Sequence, residues 1–362
     1  MTFRFVKNKY QFSFLNEIVG EIEMIIVFKK HSPEEKIQEI SKIITDLGYE
    51  PRIIRGVEQT VIAAVGDESM HSSLETLKMF PEIENVLPVQ KRYKLTSREY
   101  HSDDSIIKIG KEKIGAGNFA MIAGPCSIES YEQMRETAAD LKKVGVKILR
   151  GGAYKPRTSP YDFQGLGEEG LKILKEVGKE FDMPVVTEVL GMPHAEKVAN
   201  AADCIQIGAR NCQNYHLLEV VASCGKPVLL KRGMATTVEE WLSSAEYLIV
   251  HGCPNVILCE RGIRTFEPST RSTLDIGAVA VAKHESHLPV IVDPSHAAGR
   301  VDLVLPLAMA AVAAGADGLI VESHPNPVKA SSDAAQQIPS ARFGDFMNRI
   351  VPLVQLMGKK IP

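Results

Sequence analysis

The chain has 362 residues, 44% of them hydrophobic, and a formal net charge of −3. That length supports a large core and two domains, and the near-neutral balance excludes a general attraction to nucleic acid or an acidic membrane, so any basic site must be local. The six cysteines form no CxxC pair and no zinc-ribbon spacing, which points to a reducing cytoplasm, and no apolar stretch reaches the ~20 residues of a bilayer span.

Residues 1–24 contain Phe3, Phe5, Tyr10, Phe12 and Phe14 but neither helical nor strand periodicity. They read as a loosely ordered extension or an over-extended gene start, with Met24 as the alternative start, or as a segment that packs on a partner subunit. Their basic residues have no apolar run or small-residue cleavage site behind them, so we expect no signal peptide. Residues 25–95 read as strand Ile25–Lys29, helix Pro33–Leu47, strands Pro51–Gly56 and Thr60–Gly66, helix His71–Phe80 and strand Ile83–Lys94. Ser32 is expected to cap the first helix, with Pro33 at its first position. Ile37, Ile40, Ile43, Ile44 and Leu47 share one face of that helix. This βαββαβ order is ferredoxin-like, and the absence of clustered reactive side chains points to regulation or assembly. Residues 96–118 form a linker and a hairpin, Ile106–Ile109 with Glu112–Ile114, suited to plug the N-terminal end of the domain formed by residues 119–362.

Residues 119–362 repeat a β-branched run eight times: 120–126, 147–154, 184–188, 204–210, 227–232, 256–261, 289–296 and 318–324. Helix-length stretches such as Tyr131–Gly145, Gly167–Phe181, Val238–Gly252 and Leu303–Gly315 separate most of them. That alternation is the pattern of an α/β (β/α)8 TIM barrel, whose active site lies at the C-terminal ends of the strands.

The strand ends carry reactive chemistry. Cys126, His296, Glu322 and Asp333 offer a thiolate, an imidazole and two carboxylates, a set suited to a divalent first-row cation. Barrel closure makes the first, seventh and eighth strands neighbours, which is what brings such distant residues together. Cys204, Cys224 and Cys253 read instead as inert core thiols. Arg150, Lys155, Arg210, Lys231 and Arg261 stand at or just after other strand ends, with Arg232 and Arg264 close by. Two unit charges ~4 Å apart repel by about 4 kcal/mol at an effective dielectric near 20. Crowded cations therefore need an anion, and Arg forks with Lys point charges suit a small molecule bearing carboxylate and phosphate. The other reading is a set of separate salt bridges to Glu188, Glu260 and Asp293. A second phosphate locus lies in Lys155-Pro156-Arg157-Thr158-Ser159-Pro160, where rigid prolines hold a guanidinium beside two hydroxyls.

The motifs Ala-Gly-Pro-Cys-Ser at 123–127, Leu-Arg-Gly-Gly-Ala-Tyr-Lys-Pro-Arg-Thr-Ser-Pro at 149–160 and Gln-Ile-Gly-Ala-Arg-Asn at 206–211 carry a resemblance. So do Leu-Leu-Lys-Arg-Gly at 229–233, Cys-Glu-Arg-Gly-Ile-Arg-Thr-Phe at 259–266 and Val-Asp-Pro-Ser-His at 292–296. From about Ile25 to the C-terminus the chain resembles the type I beta family of 3-deoxy-D-arabino-heptulosonate 7-phosphate (DAHP) synthases. The resemblance implies a transferase of the shikimate pathway that joins phosphoenolpyruvate, D-erythrose 4-phosphate and water. It implies one divalent metal (Mn²⁺, Fe²⁺, Co²⁺ or Zn²⁺) on Cys126, His296, Glu322 and Asp333. Phosphoenolpyruvate would lie on Arg150, Lys155, Arg210, Lys231 and Arg261, and the sugar phosphate on Pro156, Arg157 and Thr158. Lys155, Cys126 and His296 would form the catalytic set, with Lys155 delivering a proton to the aldehyde oxygen. The resemblance also implies a homotetramer and an aromatic-pathway effector. On the second strand, however, Ile53 and Arg55 replace the small polar side chains and histidine of tyrosine-inhibited members, so weak or absent tyrosine inhibition is expected. The alternatives are 3-deoxy-octulosonate 8-phosphate synthase, which carries an Ala-Asn-Arg-type turn in place of 156–158, and a non-catalytic regulatory barrel.

Overall fold

The computed structural model describes residues 22–56, 59–66, 74–88, 93–155 and 159–361. The chain divides into two compact units, residues 1–92 and 93–362. Nearly all of the aromatic segment 1–24, part of the expected helix His71–Phe80 and the Pro156–Thr158 turn lie outside the described residues.

The smaller unit comprises β1 (Ile22–Phe28), α1 (Glu34–Asp46), β2 (Glu50–Arg55), β3 (Thr60–Val65) and β4 (Ile83–Pro88). Its sheet is antiparallel in the order β2-β3-β1-β4, the ferredoxin-like arrangement. Ile37, Ile40 and Ile44 of α1 are buried against Met24, Ile26, Phe28 and Ile62 of the sheet, the face that their helical spacing marks. Two local expectations are corrected. Ser32 does not cap α1: its hydroxyl donates to the Lys29 carbonyl at 2.8 Å, and extended Pro33 takes the cap position with no side-chain bond. Glu34 and Glu35 instead place negative charge at the positive end of the helix. Within the described part of the expected helix 71–80, Leu74 and Glu75 are helical and a 3-10 turn, Thr76–Met79, ends the run, held by buried Leu74 and Leu77.

In the larger unit a two-stranded hairpin, β5 (Ile107–Ile109) and β6 (Glu112–Ile114), comes first. The barrel strands are β7 (Ala120–Gly124), β8 (Ile148–Arg150), β9 (Val185–Val189), β10 (Cys204–Ile207), β11 (Val228–Lys231), β12 (Val256–Glu260), β13 (Val290–Val292) and β14 (Gly318–His324). They pair in sequence, all parallel, and both β13–β14 and β14–β7 pairings close the ring. Around it run α2 (Tyr131–Lys143), α3 (Glu168–Glu180), α4 (Ala195–Ala201), α5 (Tyr215–Ala222), α6 (Val238–Val250), α7 (Ile276–Glu285), the short α8 (Pro294–Ala298) with α9 (Val301–Ala313), and α10 (Phe343–Leu356). A small strand, β15 (Ile338–Pro339), adds to β14. Ile107, Ile109 and Ile114 of the hairpin join the interior layer that includes Ile122, Ile148, Leu229, Ile257 and Ile291, and so fill the barrel from its N-terminal end. No helix among the described residues is long and apolar enough to cross a membrane.

Asp317 ties the far end of the barrel together. It is 1% exposed, accepts from Lys283 at 2.9 Å and Lys359 at 2.8 Å, and also receives the Val290 N–H at 2.9 Å. Asp317→Ala leaves two partly buried ammonium groups without this partner. We expect a loss of about 2–3 kcal/mol in urea unfolding, below the 3–5 of a fully buried pair because both lysines reach water. An unchanged midpoint would show that solvent takes over the role.

Candidate active site at the mouth of the barrel

The end of β7 sets the geometry. Gly124 has φ +153°, and a Cβ there would lie 1.9 Å from the Arg150 carbonyl oxygen. A glycine thus lets the first two strand ends touch, and the Pro-Cys step after it carries Cys126 under the mouth. Gly152 serves the same contact from the other side, since its Cβ would meet the Cys126 carbonyl at 2.6 Å. Lys155 closes over this junction and donates to the carbonyl oxygen and to Sγ of Cys126, both at 2.9 Å.

Four sequence-marked donors meet here. Cys126, Glu322 and Asp333 have ligand atoms all within 4.8 Å of one another, and Cys126 Sγ lies 3.3 Å from Asp333 Oδ2. His296 Nε2 stands 3.5 Å from Glu322 Oε1 and 3.8 Å from Asp333 Oδ2. Ring closure brings β14 beside β7, and the loop after β14 brings Asp333 in with φ +48°, a left-handed conformation that Asp tolerates better than most residues. His324 lies two residues beyond Glu322 but does not join them. Its Nε2 faces Glu129 at 3.7 Å.

The charge states fit a cation. Burial would raise Glu322, but His296, Arg150 and Lys155 hold it well below the usual carboxylate range. Burial would likewise raise Asp333, and Glu322 beside it adds to that, yet Arg271 and His296 leave it lowered. Burial lowers His296 from its ordinary value, while the charges of Asp293 and Glu322 oppose that shift. Asp293 Oδ2 lies 2.7 Å from Nδ1, so Nδ1 donates, and in the neutral ring Nε2 presents a lone pair to the cluster. Burial, reinforced by Glu322, pushes the Cys126 thiol up to about 12. The thiol must lose a proton for the set to serve a divalent metal, and such loss normally accompanies metal binding.

A cleft of about 360 Å³ opens above the cluster, lined by Lys155, Arg210, Lys231, Arg261, Arg264 and Arg271 against Asp162, Glu188 and Asp333. The expectation of crowded cations without internal partners needs correction. Arg150 pairs with Glu322 at 2.6 Å, Lys231 with Asp293, and Arg232 with Glu260 at 3.0 Å and Asp275 at 2.9 Å. Those pairs answer the burial cost that a lone cation would carry. Arg261 differs. It is 6% exposed and donates only to Ser272 Oγ at 2.9 Å and the Gly262 carbonyl at 3.3 Å, with no carboxylate in ion-pair range among the described residues. Burial lowers its pKa, and the nearby charge of Asp293 only partly offsets that. Arg210 lines the cleft from the short turn Ala209–Asn211. Lys155 is buried at the edge of the cleft; burial would lower it, but Cys126 and Glu322 keep it above its ordinary value. Cys204 is buried inside the barrel, away from the mouth residues.

Several neighbours carried no sequence signal. Gln336 Nε2 donates to Glu322 at 2.6 Å, Gln337 Oε1 receives the Cys126 N–H at 3.0 Å, and Arg271 reaches Asp333 at 3.2 Å and Gln336 at 3.1 Å. A glutamine pair three and four residues after Asp333 has no distinctive spacing, and only closure of the barrel gives it a role.

Comparison with known proteins adds independent weight. Residues 94–355 match the DAHP synthetase I family and residues 24–91 the DAHP synthase ferredoxin-like domain. The phospho-2-dehydro-3-deoxyheptonate aldolase of Thermotoga maritima is 51% identical over 338 residues, covering 93% of this chain and 100% of that protein. The crystal structure of a Thermotoga maritima DAHP synthase superposes with a TM-score of 0.88 at 50% identity, over 94% of this chain and 100% of the other. A 2-dehydro-3-deoxyphosphooctonate aldolase of Paraburkholderia xenovorans is more distant, at 32% identity over 68% of this chain and 95% of its own. With a matching barrel, a matching N-terminal domain and half its residues shared with a full-length relative, the chain belongs to the DAHP synthetase I family.

Proposed function

We propose a division of labour at this mouth for the condensation of phosphoenolpyruvate with D-erythrose 4-phosphate and water, giving DAHP and phosphate. Arg150, Lys155, Arg210, Lys231 and Arg261 hold the carboxylate and phosphate of phosphoenolpyruvate. Pro156, Arg157 and Thr158 hold the phosphate of the four-carbon sugar. Carbon 3 of the enol phosphate attacks the aldehyde carbon, and Lys155 gives a proton to the aldehyde oxygen as charge grows there. Water captures the cationic carbon 2, and phosphate departs into the arginine and lysine cluster, which stabilises its charge. A divalent cation held by Cys126, His296, Glu322 and Asp333 would supply Lewis acidity at the aldehyde oxygen. One thiolate among carboxylates and imidazole leaves Mn²⁺, Fe²⁺, Co²⁺ and Zn²⁺ as the candidates.

The observation that carries this reading is Arg261, a buried guanidinium in ion-pair range of no described carboxylate, on a cleft where cations outnumber acids. The test is phosphate release with each sugar. Erythrose 4-phosphate should be strongly preferred over arabinose 5-phosphate. Arg157→Ala should raise KM for the sugar far more than for phosphoenolpyruvate, and Arg210→Ala should do the reverse. Equal weakening of both substrates by both variants would refute the two-locus division. Preference for arabinose 5-phosphate would restore the octulosonate reading.

We further infer a cytoplasmic homotetramer whose N-terminal unit answers an aromatic-pathway effector weakly, if at all, when that effector is tyrosine. On β2, Arg55 pairs with Glu34 of α1, and Ile53 packs on the core of that unit. An ammonium placed there meets a guanidinium, and a phenol meets no donor from Ile53. Titrating tyrosine and phenylalanine against initial rate is the check. Micromolar tyrosine inhibition that disappears when residues 1–95 are removed would contradict it.

A further inference from the structure

Asp293 precedes the short helix that carries His296, and its carboxylate is fully committed. It is 1% exposed, and Oδ1 accepts the His296 backbone N–H at 2.9 Å, capping α8. Oδ2 accepts from His296 Nδ1 at 2.7 Å and also from Lys231 Nζ. One oxygen therefore serves an imidazole of the donor cluster and an ammonium of the anion cleft. Glu322 also joins the two regions, through Arg150, but as a member of the donor cluster itself. Removing the charge of Asp293 leaves all four donors and all five cations in the chain.

We propose that Asp293 is a positioning residue that couples cation binding at the Cys126–His296–Glu322–Asp333 cluster to anion binding at Lys231. This rests on the metal and phosphoenolpyruvate sites proposed above. An acceptor shared by two donors strengthens one bond at the expense of the other. A cation on the lone pair of Nε2 makes Nδ1–H a stronger donor and draws Asp293 towards the ring. Lys231 is then less neutralised and holds an anion more tightly. Conversely, an anion that takes up Lys231 leaves Asp293 to the imidazole and makes Nε2 a better donor. Linkage requires the two effects to be the same factor.

The test uses the full chain without the sugar, so no turnover intervenes. Dissociation constants for Mn²⁺ are measured with and without phosphoenolpyruvate, and those for phosphoenolpyruvate with and without Mn²⁺. In the wild type each should tighten the other by one common factor, on the order of tenfold. Asp293→Asn should bind both and lose most of that factor, and Asp293→Glu should retain more of it. Lys231→Gln is read with Mn²⁺ alone. It frees Asp293 for the ring, so Mn²⁺ should bind more tightly than in Arg261→Gln, which removes a cation that makes no hydrogen bond to Asp293. That comparison decides the matter should Asp293→Asn not fold. An unchanged factor in Asp293→Asn, or Lys231→Gln no tighter than Arg261→Gln, overturns the coupling. Wild type that binds both ligands independently also overturns it and leaves the proposed function standing. Wild type that binds neither ligand refutes the proposed function itself.

Discussion

Cys126→Ala is expected to give a folded barrel with activity reduced about a thousandfold or more. Lewis-acid stabilisation of a growing oxyanion is worth several kcal/mol, and each ~1.4 kcal/mol is tenfold in rate. The fold should survive because the residue comes just after β7 and sits at the mouth, outside both the interior layer and the main core of the barrel. Losing one buried sulfur costs about 1 kcal/mol, close to one methylene. The variant loses only one of the four donors, so its metal content in dialysis should fall without a comparable fall in thermal midpoint. A Cys126→Ala enzyme with wild-type kcat would remove the thiolate from the mechanism. A variant that lost its cooperative unfolding would show that the sulfur is structural.

Arg261→Met should move stability and function in opposite directions. The guanidinium is buried with two neutral acceptors and no described carboxylate in ion-pair range, so the folded state carries a charge that only more distant carboxylates such as Asp293 offset. Replacing buried charged groups with apolar ones of similar volume is often neutral or stabilising by about 1–4 kcal/mol. The thermal midpoint should hold or rise. Without its cation the cleft loses a charge-assisted contact worth about 2–4 kcal/mol, so kcat/KM for phosphoenolpyruvate should fall ~30- to 1000-fold. A variant both less stable and fully active would mean that Arg261 serves the fold and not an anion. Functional groups held at a cost to stability are common at active sites, and this pairing of signs identifies one.

The barrel was legible because each strand is short, apolar on both sides and ended by a turn, so the runs stand out against amphipathic helices. Ile122, Ile257 and Ile291 show why: they fill a closed interior and read as continuous hydrophobic sequence. The smaller unit was readable through α1, whose buried isoleucines recur at helical spacing. Its cap was not, since Ser32 had a nearer acceptor in Lys29, a choice that depends on three-dimensional placement. At the site, residue type and strand-end position pointed to Cys126, His296, Glu322 and Asp333, and β7–β14 pairing supplies the proximity that spacing alone could not. The pairing of charges stayed hidden. Nothing in the order of residues says that Arg150 meets Glu322 over the end of β7, or that Lys231 and His296 share Asp293. Such partners come from strands far apart in the chain and are set by barrel stagger.

The decisive measurement is the initial rate of phosphate release from phosphoenolpyruvate and erythrose 4-phosphate, taken before chelation, after it, and after Mn²⁺ is restored. With a metal-dependent condensation at this mouth, the rate vanishes on chelation, returns with Mn²⁺ and requires both substrates. Full activity in the chelated enzyme would contradict it.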